Sequence, residues 1–276
     1  MNVDMNQRTL PPLKLDRSPL LCAIGQLKIS AIIDIEDYLK QIQQRMRHSG
    51  FPRFRRGLVQ MITFAPDKAE MKTSPRLDFF SADGTECISV AQEAITLVTS
   101  NYDVFESFQS KLMHGLEVVN EAVPITFIER IGIRYLDVLR ADETSGVTLS
   151  SLVKEPLRGV DFSGISSIDA KNPAATQRLE CQTPTEHGML IVRLSTQVGA
   201  SLPPNIFPME VTYKTRPKPD EVFSLLDLDH YSQQGWDMNP GVVSSTLWVL
   251  HDTLDQVFRT AVVTDDALKY WGMRHV

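Results

Sequence analysis

Three cysteines in 276 residues, Cys22, Cys87 and Cys181, stand far apart with no Cys-x-x-Cys spacing. An odd number at open spacing argues against both a disulfide framework and a cysteine zinc site. Each sits in an apolar, strand-like context, where a free thiol behaves as a small hydrophobe, and a reducing cytoplasm fits that usage. Long hydrophobic runs are also missing: no stretch of 18 or more apolar residues occurs, so no transmembrane helix is expected. The start, MNVDMNQRTLPPLKLDRSP, has no apolar run suited to a signal peptide. The catalytic and phosphate-binding signatures GxSxG, HExxH, GxGxxG and GxxxxGK followed by Ser or Thr are all lacking, so the sequence leans against an enzyme and implies no cofactor or metal. Excess positive charge is lacking too. A net charge of −6 excludes a protein that coats nucleic acid over its whole surface, and leaves room for a local basic patch.

What is present is a normal globular balance, 42% hydrophobic and 22% charged, over a length that suits two intimately packed halves. Residues 1–17 are polar and proline-punctuated and are expected to be loosely ordered. Leu20 to Ser30 reads as a strand, and Ile35, Leu39, Ile42 and Met46 then recur at helical spacing until Gly50 and Pro52 end the helix. Strands are expected at Leu58–Phe64, Arg76–Phe80, Glu86–Ala91 and Ala94–Ser100, with Asp83-Gly84 as a tight primed turn. Phe105, Phe108, Leu112, Gly115 and Val119 form the buried stripe of a following helix.

The second half opens on Ile125–Leu139, the longest strand signal, followed by a short helix at Leu149–Leu157. Strands are expected at Gly164–Ala170, Gln177–Thr183, Met189–Gln197, Met209–Lys214 and Val222–Tyr231. A last helix, Val243 to about Val262, buries Leu247, Leu250, His251, Leu254 and Phe258. The order repeats, with Ala23-Ile24-Gly25 faintly echoed by Arg130-Ile131-Gly132. The expected fold is α+β: two tandem β-α-β-β-β-β-α units, 18–122 and 123–276, packed as one body, with antiparallel sheet and both long helices on one face.

Two arginine groupings are the candidate sites. Along Phe127–Leu136, period-2 alternation puts Arg130, Gly132 and Arg134 on one face, where two guanidinium forks flank a residue without a side chain. An anion would suit that space; pairing with Glu180, Asp227 or Asp229 on neighbouring strands is the structural alternative, and the favoured one. The second grouping, Arg45, Arg47, Arg53, Arg55 and Arg56 with Phe54, interleaves cations and aromatics as a single-strand nucleic-acid binder does. Asp227-x-Asp229-His230 is not expected to hold a metal, because His230 points away from the two carboxylates on a strand. His251 on an apolar stripe reads as a core histidine before it reads as a base. Tyr270-Trp271 either folds back on the core or contacts a partner subunit.

The segments Ser18–Ser30, Arg76–Phe108, Glu129–Leu139, Leu225–Tyr231 and Leu250–Val262, with Tyr-x-x-Phe-x-x-Phe and Arg-x-Gly-x-Arg-Tyr among them, resemble a sporadically distributed bacterial family of proteins of about this length. The family has no assigned reaction, and its scattered distribution implies a defence or mobile-element setting. The repeated unit also looks like the duplicated fold of TATA-binding proteins. The expected function is therefore a binding protein for a partner protein, a second copy of itself or an anionic ligand. Nucleic-acid binding through the basic segment is the second reading, an enzyme with an unrecognised site the third, and no membrane contact is implied.

Overall fold

The centre of the fold is one large antiparallel sheet, built from apolar-rich strands. A computed structural model describes residues 9–65, 68–160, 165–167, 177–199 and 211–275. After β1 (Leu13–Leu15) comes β2 (Leu20–Ile29), then α1 (Leu39–His48), entered through a 3₁₀ turn at Ile35–Tyr38. Four strands follow: β3 (Arg53–Ala65), β4 (Lys68–Phe80), β5 (Glu86–Ala91) and β6 (Ala94–Thr99). The long helix α2 (Phe105–Ala122) leads to β7 (Phe127–Arg140) and the one-turn α3 (Leu149–Leu152). β8 (Gln177–Thr185), β9 (Gly188–Val198), β10 (Val222–Ser232) and the short β11 (Trp236–Asp237) complete the large sheet. The chain ends through α4 (Pro240–Gln256), a π-helical turn at Val257–Val262, α5 (Asp265–Tyr270) and β12 (Met273–His275).

The sheet runs β3-β4-β5-β6-β2-β7-β10-β9-β8, with β11 also on β7, and β1 pairs separately with β12. Among the described residues no helix is long and apolar enough to cross a membrane.

Both long helices cover the same face of this sheet. Phe105, Phe108, Leu112, Gly115 and Val119 of α2 are buried, as their spacing requires, and Val243, Leu247, Leu250 and Leu254 do the same on α4. They meet Ala23, Leu27, Ile95, Leu97, Ile131, Ile133, Leu226 and Leu228 in one large core. Contact is close at Gly25, where an added Cβ would stand 2.7 Å from Leu112 Cδ2 and 2.9 Å from Phe108 Cζ. Gly25→Val is therefore expected to push α2 off the sheet and cost about 1–3 kcal/mol, read as a lowered urea midpoint at unchanged slope.

Several expectations change. β3 begins at Arg53 and not at Leu58, because its arginine-rich start pairs residue for residue with β4, which itself begins at Lys68 and not at Arg76. Asp83-Gly84 does not form the two-residue primed turn: only Gly84 has positive φ (74°), and the connection spans Ser81–Thr85. Asp83 stabilises it by accepting from Ser81 Oγ (2.7 Å) and Thr85 N (3.0 Å), bonds that hold its carboxyl down at about pKa 2.

Residues 211–214 are not a strand. Thr212 N bonds to Gly84 O (2.8 Å), while Val211 and Tyr213 lie on the helix-free face with Cys22, Val98, Leu136 and Phe223 in a second, smaller core. Of the strand expected at Gly164–Ala170, residues 165–167 are loop and turn, and the rest lies outside the described residues. The β1–β12 pairing had no counterpart in the polar, proline-punctuated N-terminal sequence. Gly25 faces the helices whereas Gly132 faces away from them, so the three-residue echo does not match in orientation.

Candidate functional site

The helix-free face of the sheet carries a band of polar side chains that strand register sets side by side. Arg55, Asp78, Ser89, Thr96, Gln26, Gly132 and Tyr231 stand in one row across β3-β4-β5-β6-β2-β7-β10. Two buried carboxylates anchor the band. Asp78 receives two bonds from Arg76 (2.8 and 2.9 Å) and one from Ser89 Oγ (2.8 Å). Asp227 receives two from Arg134 (2.6 Å each) and one from Arg193 (3.1 Å), which also reaches Glu180 (3.1 Å). Burial works against the charge of Arg134, but its bonds to Asp227 outweigh that and raise its pKa.

Gly132 leaves room, as expected, and the room is taken by Arg130 itself. A Cβ there would lie 3.3 Å from Arg130 Nη1, whose guanidinium sits 4.1 Å over the Tyr231 ring. Gly57 does the same for the other anchor, since its Cβ would stand 2.8 Å from Asp78 Oδ2 and 2.9 Å from Arg76 Nη2. Arg130 donates to Gln26 Oε1 (3.1 Å) and reaches Asp229 at only 3.8 Å. Burial lowers the Arg130 pKa and raises that of Asp229, so this loose pair is the least compensated part of the band. An anion at Arg130 and Arg134 would compete with these partners.

The basic segment is not brought onto one surface. Strand alternation sends Arg53 and Arg55 to the helix-free face, while Phe54 and Arg56 go to the other, where Phe54 packs on Phe79 (5.3 Å between ring centroids) and Arg56 pairs with Glu36 (3.0 Å). Arg45 pairs with Glu121 on α2, and Arg47 is exposed on α1. Phe54 is thus a half-buried packing residue with the Arg56 guanidinium 5.9 Å over its ring, on the opposite face from Arg53 and Arg55.

Asp227 and Asp229 face the band while His230 faces the helices, its ring nitrogens near Leu250 O (3.2 Å) and Thr185 Oγ1 (2.9 Å). Among the described residues, no three His, Cys, Asp or Glu side chains gather as a metal site. Trp271 folds back into the core and stacks on Phe258 (6.1 Å), and Tyr270 donates to Asp142 (3.0 Å).

A second feature lies on the helix side, between the start of α2 and α4. His251 stacks flat on Phe105 (4.0 Å, 11°), and its Nδ1 stands 3.0 Å from Tyr135 Oη, which is 3.4 Å from Tyr102 Oη. Beneath them is a cavity of about 190 Å³ bounded by β1, the segment before α2, β7 and α4. Asp137 lines it, only 4% exposed. Burial alone pushes its carboxyl up to about pKa 7. Tyr135 is also raised, by burial first and then by Tyr102. His251 was marked in the sequence as a core residue. Asp137 was missed, although the stripe Ile131, Ile133, Tyr135, Asp137, Leu139 carries one acid among residues that all face the helices.

No protein-family model and no curated protein matches this chain.

Proposed function

We propose that this is a binding protein whose helix-free sheet face recognises an anionic partner, foremost an acidic protein surface. One observation carries the reading. Among the described residues that face holds Lys28, Arg53, Arg55, Arg76, Arg130, Arg134, Arg178 and Arg193 against Asp78, Asp227, Asp229 and Glu180, on a chain whose net charge is −6. A cationic face on an acidic chain orients an approaching anion toward it and speeds the encounter. The buried arginines serve the sheet, so affinity would come from the exposed Lys28, Arg53 and Arg55 at the band's rim.

The same reading holds the fold to be a tandem duplication of a β-α-β4-α unit, similar to that of TATA-binding proteins. Its support is the mirrored strand order: β6, β5 and β4 step outward from β2 as β10, β9 and β8 step outward from β7. The setting in a bacterial defence or mobile-element-linked system rests on the motif resemblance alone.

The test is titration with polyglutamate and with single-stranded DNA at rising salt. Polyglutamate is expected to bind at low salt and weaken as salt is added, and Lys28→Glu with Arg53→Glu and Arg55→Glu to abolish binding. A steep salt slope with DNA, and none with polyglutamate, would favour the nucleic-acid reading. No binding to either probe sinks the proposal.

A further inference from the structure

We propose that the cavity between β7 and α4 is a small-molecule site for a compact organic cation, an ammonium on a single ring or branched alkyl body, with Asp137 as its counter-ion. This site is separate from the sheet face and stands or falls independently of it. The argument begins with charge. Of the three carboxylates on the cavity wall, Asp103 pairs with Lys14 (2.6 Å) and Asp255 with Arg259 (2.9 Å), whereas among the described residues Asp137 has no hydrogen-bond or ion-pair partner. A buried carboxyl without a partner costs stability and persists where something else supplies the missing interaction.

The walls specify the rest of the ligand. Leu20, Leu228, Leu254 and Phe258 give an apolar lining, and Tyr102 and Tyr135 present ring surface that attracts a cation. The volume of about 190 Å³ is slightly above the roughly 150 Å³ that accommodates one benzene ring. An adjoining cavity of about 280 Å³, sharing Tyr102, Asp103, His251 and Asp255, leaves space for a substituent toward solvent. The exposed Lys14–Asp103 pair marks that outer rim.

Binding has a proton signature. The titratable and charged groups around Asp137 are Tyr135 on its own strand, Lys14 on β1, Tyr102 and Asp103 before α2, and His251 and Asp255 on α4. A bound ammonium holds Asp137 ionised, so below its free pKa of about 7 complex formation expels the carboxyl proton to solvent.

The experiment is calorimetric titration of the full chain with benzylamine, benzyl alcohol and benzoate, at about pH 6 in two buffers of different ionisation heat. Benzylamine is expected to bind at least about tenfold more tightly than the alcohol, with net proton release, and benzoate not at all. Asp137→Asn is expected to lose at least about tenfold in affinity for the amine, and all of the proton release. A carbon-detected titration of the Asp137 carboxyl in the unaltered protein needs no variant, and its pKa is expected to fall by about one unit or more with saturating amine. Equal binding of amine and alcohol, an unmoved Asp137 titration, or no heat with any of the three probes overturns the proposal.

Discussion

Replacing Asp227 by leucine is expected to destabilise the protein by about 3 kcal/mol, as the loss of one partner of a buried ion pair does. Leucine is larger than aspartate, and Leu136 stands opposite it on the neighbouring strand, so lost volume is not the cause. The cause is Arg134, a desolvated guanidinium that loses both of its bonds to a carboxylate and keeps only the charge of the neighbouring Asp229. The figure sits at the low end of the usual range of about 3–5 kcal/mol, because the Arg134 side chain keeps 21% of its surface exposed. Arg193 suffers less, since Glu180 remains at 3.1 Å. Adding Arg134→Met to Asp227→Leu should therefore recover most of the loss in urea unfolding. If the double variant is as unstable as the single one, the network is not what holds this part of the sheet.

Asp137 has the opposite sign. Its folded pKa, about 7, lies above the value of 3.8 for a free carboxyl. Between those two values the folded chain keeps a proton that the unfolded chain has lost, so stability falls as pH rises. At 1.36 kcal/mol per unit the loss is on the order of 4 kcal/mol, complete just above pH 7 and absent below about pH 4. Asparagine has the same shape and cannot ionise. Asp137→Asn is thus expected to be close to the parent in stability near the acid end and a few kcal/mol more stable near pH 8. Subtracting the two pH profiles removes every other titrating group common to both proteins. A flat difference across the range would show that Asp137 has an ordinary pKa.

These two aspartates also show what was legible in advance. Glu180, Asp227 and Asp229 stand in the sequence as possible partners of Arg130 and Arg134, because half-buried arginines usually pair with acids, and the structure gives Asp227 to Arg134 and Asp229, loosely, to Arg130. Glu180 turned to Arg193 instead, since β8 touches β9 and not β7, and strand order is a long-range property that a local pattern does not carry. The stripe of α2 and the bounds of β5 followed directly from periodicity, which records burial residue by residue.

The basic segment divides for the same local reason. Composition suggested one surface, and a strand delivers its neighbours to two. Val211 and Tyr213 look like strand residues and are apolar for a different purpose, covering part of the face that no helix reaches. Asp137 was visible as an exception within an apolar stripe, and only the cavity beside it gives that exception a chemical use.

The pairing of β1 with β12 brings Leu13 opposite His275. During synthesis, β1 leaves the ribosome long before its partner exists, so it cannot pair until the rest of the fold is made. Leu13, Lys14 and Leu15 form part of the cavity wall, so that wall gains its strand partner only from a segment more than 250 residues away along the chain, a closure that carries a long-loop entropy cost. Without Met273–His275, β1 would lack its strand partner and be held over the cavity by side-chain contacts such as Lys14 with Asp103 and Arg259 with Pro11 O.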